Sequence, residues 1–438
     1  MLDFVRSCQA GSDQAVVRKA GRYDPWLLAA AIALAAFGVV MVASASIAVA
    51  DGQHIGEFYY LKRHVMFLAL GAVLACALMR IELRLMEKYA FGLMLLAFAL
   101  LLAVFVPHFG MRINGARRWI NLGMIGFQPV EAVKLVLVIY LASYLVRHRD
   151  GVERKFFGVL KPMFVAGFTA MLLLAQPDFG SAALIAAVTV GMVWLAGARM
   201  RYLLFLGAPL LPIAGWLALS TDYRVKRLTS FLDPWKDPFN DGFQLTQALI
   251  AVGRGEWFGV GLGGSVQKLF YLPEAHTDFI LAVIGEELGL AGIVLVLGLF
   301  ALLVGRGLML GLRGVEIGQR FAGYVAFGIS LMIGLQALVS VGVNLGVLPT
   351  KGLTLPLISS GGSSVMMTCV MLGMLLRASY EIHRAEDVRR MATRHPGLEG
   401  SSTPVAAPPA SPPRASTGRQ LPIAARGRIE PHIGQVRA

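Results

Sequence analysis

The sequence predicts an all-α polytopic membrane protein with about ten transmembrane helices, and three observations carry that reading. Hydrophobic residues fill 56% of the 438 positions and charged residues only 15%, where soluble domains usually carry about 25% charge. The apolar residues fall in long runs, and a membrane span needs roughly 20 of them. The charges gather between the runs. Lipid is therefore the solvent that most of this chain faces.

Apolar runs occupy 26–48, 63–80, 88–106, 130–146, 161–176, 180–198, 202–219, 279–305, 320–342 and 364–378. Those at 161–176 and 364–378 are short for a span, so the count holds to about one either way. An even number places both termini on one side. With the N-terminus inside, the cytoplasmic segments hold the larger share of the 40 Lys and Arg, modestly so once the C-terminal tail is set aside. The expected topology is N-in/C-in, with a large outer loop between spans 7 and 8. The first run follows Arg18, Lys19 and Arg22 and ends in Ala48-Val49-Ala50, like a signal peptidase site. It is longer than the ~7–15-residue core of a signal peptide, and further spans follow it, so it reads as an uncleaved helix.

Three regions result: a cytoplasmic tail over 1–25, a membrane domain over 26–378 with its outer loop at 220–278, and a Pro- and Arg-rich tail over 379–438. Pro404, Pro408, Pro409, Pro412 and Pro413 mark that tail as disordered and cytoplasmic. Its arginines supply much of the formal charge of +14 and suit anionic headgroups better than nucleic acid. Cys8, Cys76 and Cys369 match no disulfide or metal spacing. Cys76 and Cys369 are expected to be small buried hydrophobes.

Polar residues inside or beside the spans concentrate in three outward stretches. The first runs from Pro107 through Arg117-Arg118-Trp119 to Gln128-Pro129-Val130-Glu131-Ala132-Val133-Lys134. Pro129 suits a first helical turn, which puts Glu131 and Lys134 on one face, where they either pair or serve a ligand. The second is the 220–278 loop, too long to be structureless without a function. Tyr223, Phe231, Trp235, Phe239, Phe243, Trp257, Phe270 and Tyr271 are expected to anchor it in an ordered form. Gly259, Gly261, Gly263 and Gly264 lack the strand–helix context of a dinucleotide site and read as turns. The loop ends in Pro273-Glu274-Ala275-His276-Thr277-Asp278, where Thr277 or Asp278 also suits a helix cap. Glu286 and Glu287 follow about 12–14 Å deeper and should face a cavity or a cation. The third stretch, 343–364, is dense in Gly, Pro and Ser and predicts a re-entrant segment. Lys351 is its cation, suited either to a phosphate or to snorkelling toward the interface.

At these stretches the chain resembles the SEDS family (shape, elongation, division and sporulation). PEAHTDFILAVIGEELG at 273–289 and LPTKGLTLPL at 348–357 are similar to its signature segments. So are NGARRWINLG at 114–123, QPDFGSA at 176–182 and QLTQALIAVGRGEWFGVGLG at 244–263. The resemblance spans nearly all of 26–378 and lies closer to the family's division member than to its elongation member. Ser360 stands where the family usually has Tyr, and Val130 and Ala132 alter its Q-P-S-E-L-x-K run; neither change removes an ionisable group.

The resemblance implies an inverting peptidoglycan glycosyltransferase in the bacterial inner membrane at the division septum. It would polymerise lipid II on the periplasmic side and release undecaprenyl pyrophosphate. It implies Asp278 as the catalytic carboxylate, with Arg118, Trp119, Glu131, Lys134, Lys351, His276 and Glu274 around the substrate, and help from Mg²⁺ or Mn²⁺. A class B penicillin-binding protein and other divisome membrane proteins are the implied partners. Two other classes compete: a lipid II flippase, which wants its charges near the midplane, and a non-catalytic scaffold, which would tolerate Asp278→Ala.

Overall fold

Lipid offers backbone amides no hydrogen bonds, so runs of Leu, Ala, Val and Phe close their own as helices. The computed structural model describes residues 22–394, apart from 53–55, 108, 114–115, 122–125, most of 210–228, 241, 270 and 350–351. The helices are α1 (Pro25–Gly52), α2 (Tyr59–Met79), α3 (Leu83–Ala103), α4 (Pro129–Arg147), α5 (Arg149–Arg154), α6 (Phe156–Ala175), α7 (Phe179–Leu195), α8 (Met200–Gly207), α9 (Phe243–Arg254), α10 (Ile280–Glu316), α11 (Arg320–Asn344) and α12 (Gly362–Arg394). Among the described residues, eight are long and apolar enough to cross a membrane. The shorter α7 is apolar as well, and α8 opens the run predicted at 202–219, eight residues of which lie outside the described residues.

Helices α4, α11 and α12 form the interior of the bundle, whereas α2 is the most exposed span. The core is continuous across them, with Leu137, Leu141, Ile185, Ile284, Val325, Ile329 and Leu375 all buried. Helix α12 runs past the predicted boundary at 378 to Arg394. There Arg377 pairs with Glu381 one turn on, and Glu381 accepts the Leu83 N–H of α3. That carboxylate ties the extension to a neighbouring helix, which composition alone did not reveal. The remainder of the predicted tail and residues 1–21 lie outside the described residues.

Three further corrections concern local features. Within the otherwise helical fold the 107–128 stretch carries a small sheet: β1 (Gly110–Ile113), β2 (Ala116–Asn121) and β3 (Gly126–Phe127) pair antiparallel, with Met111 opposite Trp119. A bulge after Met111 breaks the alternation that would have marked β1 as a strand. Cys76 is exposed on the lipid-facing helix α2, whereas Cys369 is buried as expected. Of the expected aromatic anchors of the outer loop, Trp235, Phe239, Trp257 and Tyr271 are exposed, Phe231 and Phe243 are partly buried, and Tyr223 and Phe270 lie outside the described residues. Amphipathic rings sit well at a headgroup interface. The loop is held instead by Leu245, Thr246, Ala248 and Ala251 of α9 and by Leu272 and Ala275.

The described residues of the third polar stretch are non-helical from Leu345 to Gly361, yet Leu355, Leu357, Ile358 and Ser359 are buried. Irregular backbone is tolerated at such depth only inside protein. Its amides are used locally: Leu355 N–H donates to Ser359 Oγ at 2.8 Å and Ser360 N–H to the His276 carbonyl at 3.0 Å. This second bond joins the end of the outer loop to the re-entrant segment.

Candidate active site

Asp278 lies just before α10 and is partly exposed. The N-cap of that helix is Phe279, which makes no side-chain cap. The missing cap comes from another helix. Asn344, the fully buried last residue of α11, accepts the Ala282 N–H at 3.1 Å. The same amide donates to the Asp278 carbonyl at 2.9 Å and to the Ser340 carbonyl at 2.8 Å. On the other side stands Gly352, where an added Cβ would lie 3.1 Å from Asp278 Oδ2. The outer loop and the re-entrant segment thus meet at this carboxylate.

Glu274 and His276 shape the turn that delivers it. Glu274 adopts a left-handed φ of 57° and accepts the Thr277 hydroxyl on its carboxylate at 2.7 Å. Its carbonyl takes the Thr277 and Phe279 N–H groups. The His276 ring packs against Tyr60 of α2 in a tilted arrangement, 4.5 Å between centroids, and its Nδ1 is buried without a hydrogen bond. Burial lowers the His276 pKa from its usual 6.5, which the neighbouring Glu274 opposes in part. A neutral ring under the turn is the result.

The first stretch contributes a buried polar chain. Lys134 Nζ reaches Glu131 Oε1 at 2.8 Å and Gln336 Oε1 at 3.0 Å, and Gln336 Nε2 donates to the Thr354 carbonyl at 3.0 Å. The Glu131–Lys134 face predicted from spacing therefore forms an internal pair, although Glu131 Oε2 is buried without a partner. Val130 packs in the core beside it. Arg118 on β2 donates to the Gln176 carbonyl at 2.9 Å and to the Pro177 carbonyl. Those acceptors are neutral, so its charge stays uncompensated by them. Trp119 is half-buried with its ring edge near Gly126. Lys351 lies outside the described residues.

The strut joining these groups is α11. Gln336 and Asn344 are eight positions apart, so Lys134 sits about 12 Å deeper than the Asp278 carbonyl. Neither residue stood out as functional in sequence, although a glutamine inside an apolar span is a signal in its own right. Glu286 and Glu287 find the cations that their depth demanded. Glu286 pairs with Arg254 at 2.9 Å and Glu287 with Lys268 at 2.7 Å, the latter also bonded to Ser44 of α1. Among the described residues, no group of three or more His, Cys, Asp or Glu gathers to hold a metal ion.

Known proteins share both this sequence and this architecture. The family model FTSW_RODA_SPOVE, described as a cell cycle protein, matches residues 25–384. A probable peptidoglycan glycosyltransferase FtsW of Xanthomonas oryzae is 54% identical over 395 residues, covering 89% of this chain and 80% of its own. A protein of the same name from Coxiella burnetii is 48% identical over 362 residues, covering 82% and 96%. A solved structure described as the structural coordination of polymerization and crosslinking by a peptidoglycan synthase complex superposes with a TM-score of 0.66 at 31% identity. It covers 82% of this chain and 98% of its own. The rod shape determining protein RodA of Thermus thermophilus gives 0.60 at 30% identity, covering 82% and 97%. The ten-run membrane pattern, the carboxylate at the head of α10 and these likenesses lead to one conclusion: the chain belongs to the family of FtsW, RodA and SpoVE.

Proposed function

We propose that this chain is a peptidoglycan glycosyltransferase that polymerises lipid II, with Asp278 as its general base. One observation carries the reading: Asp278 stands partly exposed at the junction of the outer loop, the re-entrant segment and α11, held by Asn344 and bounded by Gly352. The names of its relatives support the activity.

The chemistry follows from that position. The acceptor's 4-hydroxyl is a poor nucleophile until a base takes its proton within hydrogen-bond reach. Asp278 takes that proton as the oxygen attacks the anomeric carbon of the chain-bearing sugar from the face opposite the leaving group. The C–O bond to undecaprenyl pyrophosphate breaks, and the configuration inverts. Negative charge grows on the pyrophosphate, so a cation serves it better than a protonated carboxyl. Arg118 keeps a net positive charge for that task, whereas Lys134 is neutralised by Glu131 and braces the floor through Gln336. Lys351, next to Gly352, is the second cation assigned to the diphosphate. One carboxylate then suffices, unlike the pair used in glycoside hydrolysis.

We place the reaction at the outer face of the inner membrane, at the division septum. A class B penicillin-binding protein would crosslink the product, a pairing supported by the neighbour described as a polymerising and crosslinking complex. The test is polymerisation of labelled lipid II by the full chain with that partner, its crosslinking serine blocked, beside Asp278→Ala. Long glycan strands from wild type alone are expected. Equal strands from both would remove Asp278 from the chemistry. No strands from either, with lipid II crossing reconstituted vesicles, would make the chain a flippase.

A further inference from the structure

We infer that Asn344 positions Asp278 for proton removal, an inference that rests on the reading of Asp278 as the general base. A side-chain amide carries two donors and a carbonyl acceptor. Asn344 uses all three at one place: both donors go to the Asp278 and Ser340 carbonyls, and the acceptor takes the Ala282 N–H. Two carbonyls and one N–H fix the amide's orientation without ambiguity. Ala282 is at the third helical position of α10, the N–H that a good N-cap side chain normally satisfies. The Phe279 side chain has no acceptor to supply that bond, and its carbonyl shares the same N–H at 3.1 Å. Asn344 therefore caps α10 from a different helix and holds the residue just before it by the carbonyl.

The consequence for Asp278 is directional. Its backbone is gripped from the α11 side, and Gly352 limits its carboxylate from the other. The oxygen that must meet the acceptor hydroxyl is thus aimed by a residue that never touches substrate. A helix cap that served only stability would occupy the same place. The two roles separate because a cap alters unfolding, whereas an aiming residue alters turnover in the folded enzyme.

The discriminating variant is Asn344→Asp. Ionised, it keeps the bond from Ala282 but turns a negative charge on two carbonyls. Protonated, it regains a donor, and burial among carbonyls raises its pKa toward the working range. The experiment follows lipid II polymerisation from pH 8 to 5.5 by the full chain with its transpeptidase partner, each rate divided by that of wild type. Turnover is expected about 100-fold below wild type at pH 8, recovering toward it in acid, with KM within about threefold throughout. Wild-type turnover at pH 8 with only a lower melting temperature would overturn the inference. So would a loss of turnover that acid does not relieve.

Should Asn344→Asp not fold, Asn344→Gln carries the test. It keeps every donor and acceptor but displaces the turn by one methylene, so kcat should fall by about tenfold or more at constant KM. An unchanged kcat would overturn the inference. Wild type that makes no glycan at any pH would remove the reading of Asp278 itself, and the inference with it.

Discussion

Asp278 and the Glu286–Glu287 pair lie close together in sequence, yet the fold treats them in opposite ways. Both glutamates are fully buried. Glu286 accepts from Arg254, the Ser265 hydroxyl and the Val266 and Gln267 amides, while Glu287 accepts from Lys268 and Ser44. Asp278 remains partly exposed, and its backbone rather than its carboxylate is gripped by Asn344. The glutamates serve a structural break. Gly289 has a φ of 67°, and the backbone around it bonds the outer loop in both directions, Val260 N–H donating to the Glu286 carbonyl and Leu290 N–H to the Glu256 carbonyl. Full burial among several donors marks the two glutamates as structural, whereas Asp278, the proposed base, is partly exposed beside a fixed backbone.

The largest expected effect sharpens that contrast. Asp278→Ala should cut glycan synthesis about 10²–10⁴-fold while leaving the unfolding temperature in place. Glu287→Ala should do the reverse, because Lys268 would be left buried and charged without its anion. A stability loss of about 3–5 kcal/mol is expected, read by thermal unfolding in detergent. Glu287→Met with Lys268→Met should regain most of it, since no unpaired charge remains. If the double variant is no better than the single, the pair does more than neutralise itself.

Gly289→Ala probes the break itself. Its Cβ would lie 2.5 Å from Gly259 N and 2.6 Å from Phe258 N in a left-handed conformation. A loss of about 1–3 kcal/mol is expected, visible as earlier proteolysis of the outer loop. Full resistance would mean that the loop docks without this contact.

The smallest effect concerns pH. Burial lowers the His276 pKa below 6.5, so below that value the unfolded chain binds more protons than the fold. Stability from this group is therefore complete above about pH 6.5 and is lost progressively as the pH falls beneath it. His276→Asn should flatten the acid limb of an unfolding series between about pH 7 and 5. An unchanged limb would assign the acid loss to another group.

Much of the site was legible because membrane helices advertise what lipid excludes. Asp278, Arg118, Glu131, Lys134, Glu286 and Glu287 all stood out as ionisable groups at span ends or within spans. The need of the two glutamates for cations followed from desolvation cost alone. Their partners did not, since Arg254 and Lys268 lie on an outer loop among other plausible cations. Asn344 was visible only as one polar residue in a Gly- and Pro-rich stretch. Its role depends on α11 ending opposite the start of α10, a relation that no local pattern encodes.

The sequence by itself determined that the chain is a mostly helical polytopic membrane protein, where its polar stretches fall between apolar runs, and that Glu131 and Lys134 share a helical face. These are matters of hydropathy and of the 3.6-residue period, set by neighbours in the chain. Only the tertiary structure decided that Lys134 ends on Gln336, that Ser44 closes on Glu287, and that Asn344 caps α10 in place of its own N-terminal residue. Each joins residues 62 to 243 positions apart. Such bonds exist only once helices have packed, because a buried amide or carboxylate takes whichever partner the packing brings within 3 Å or so.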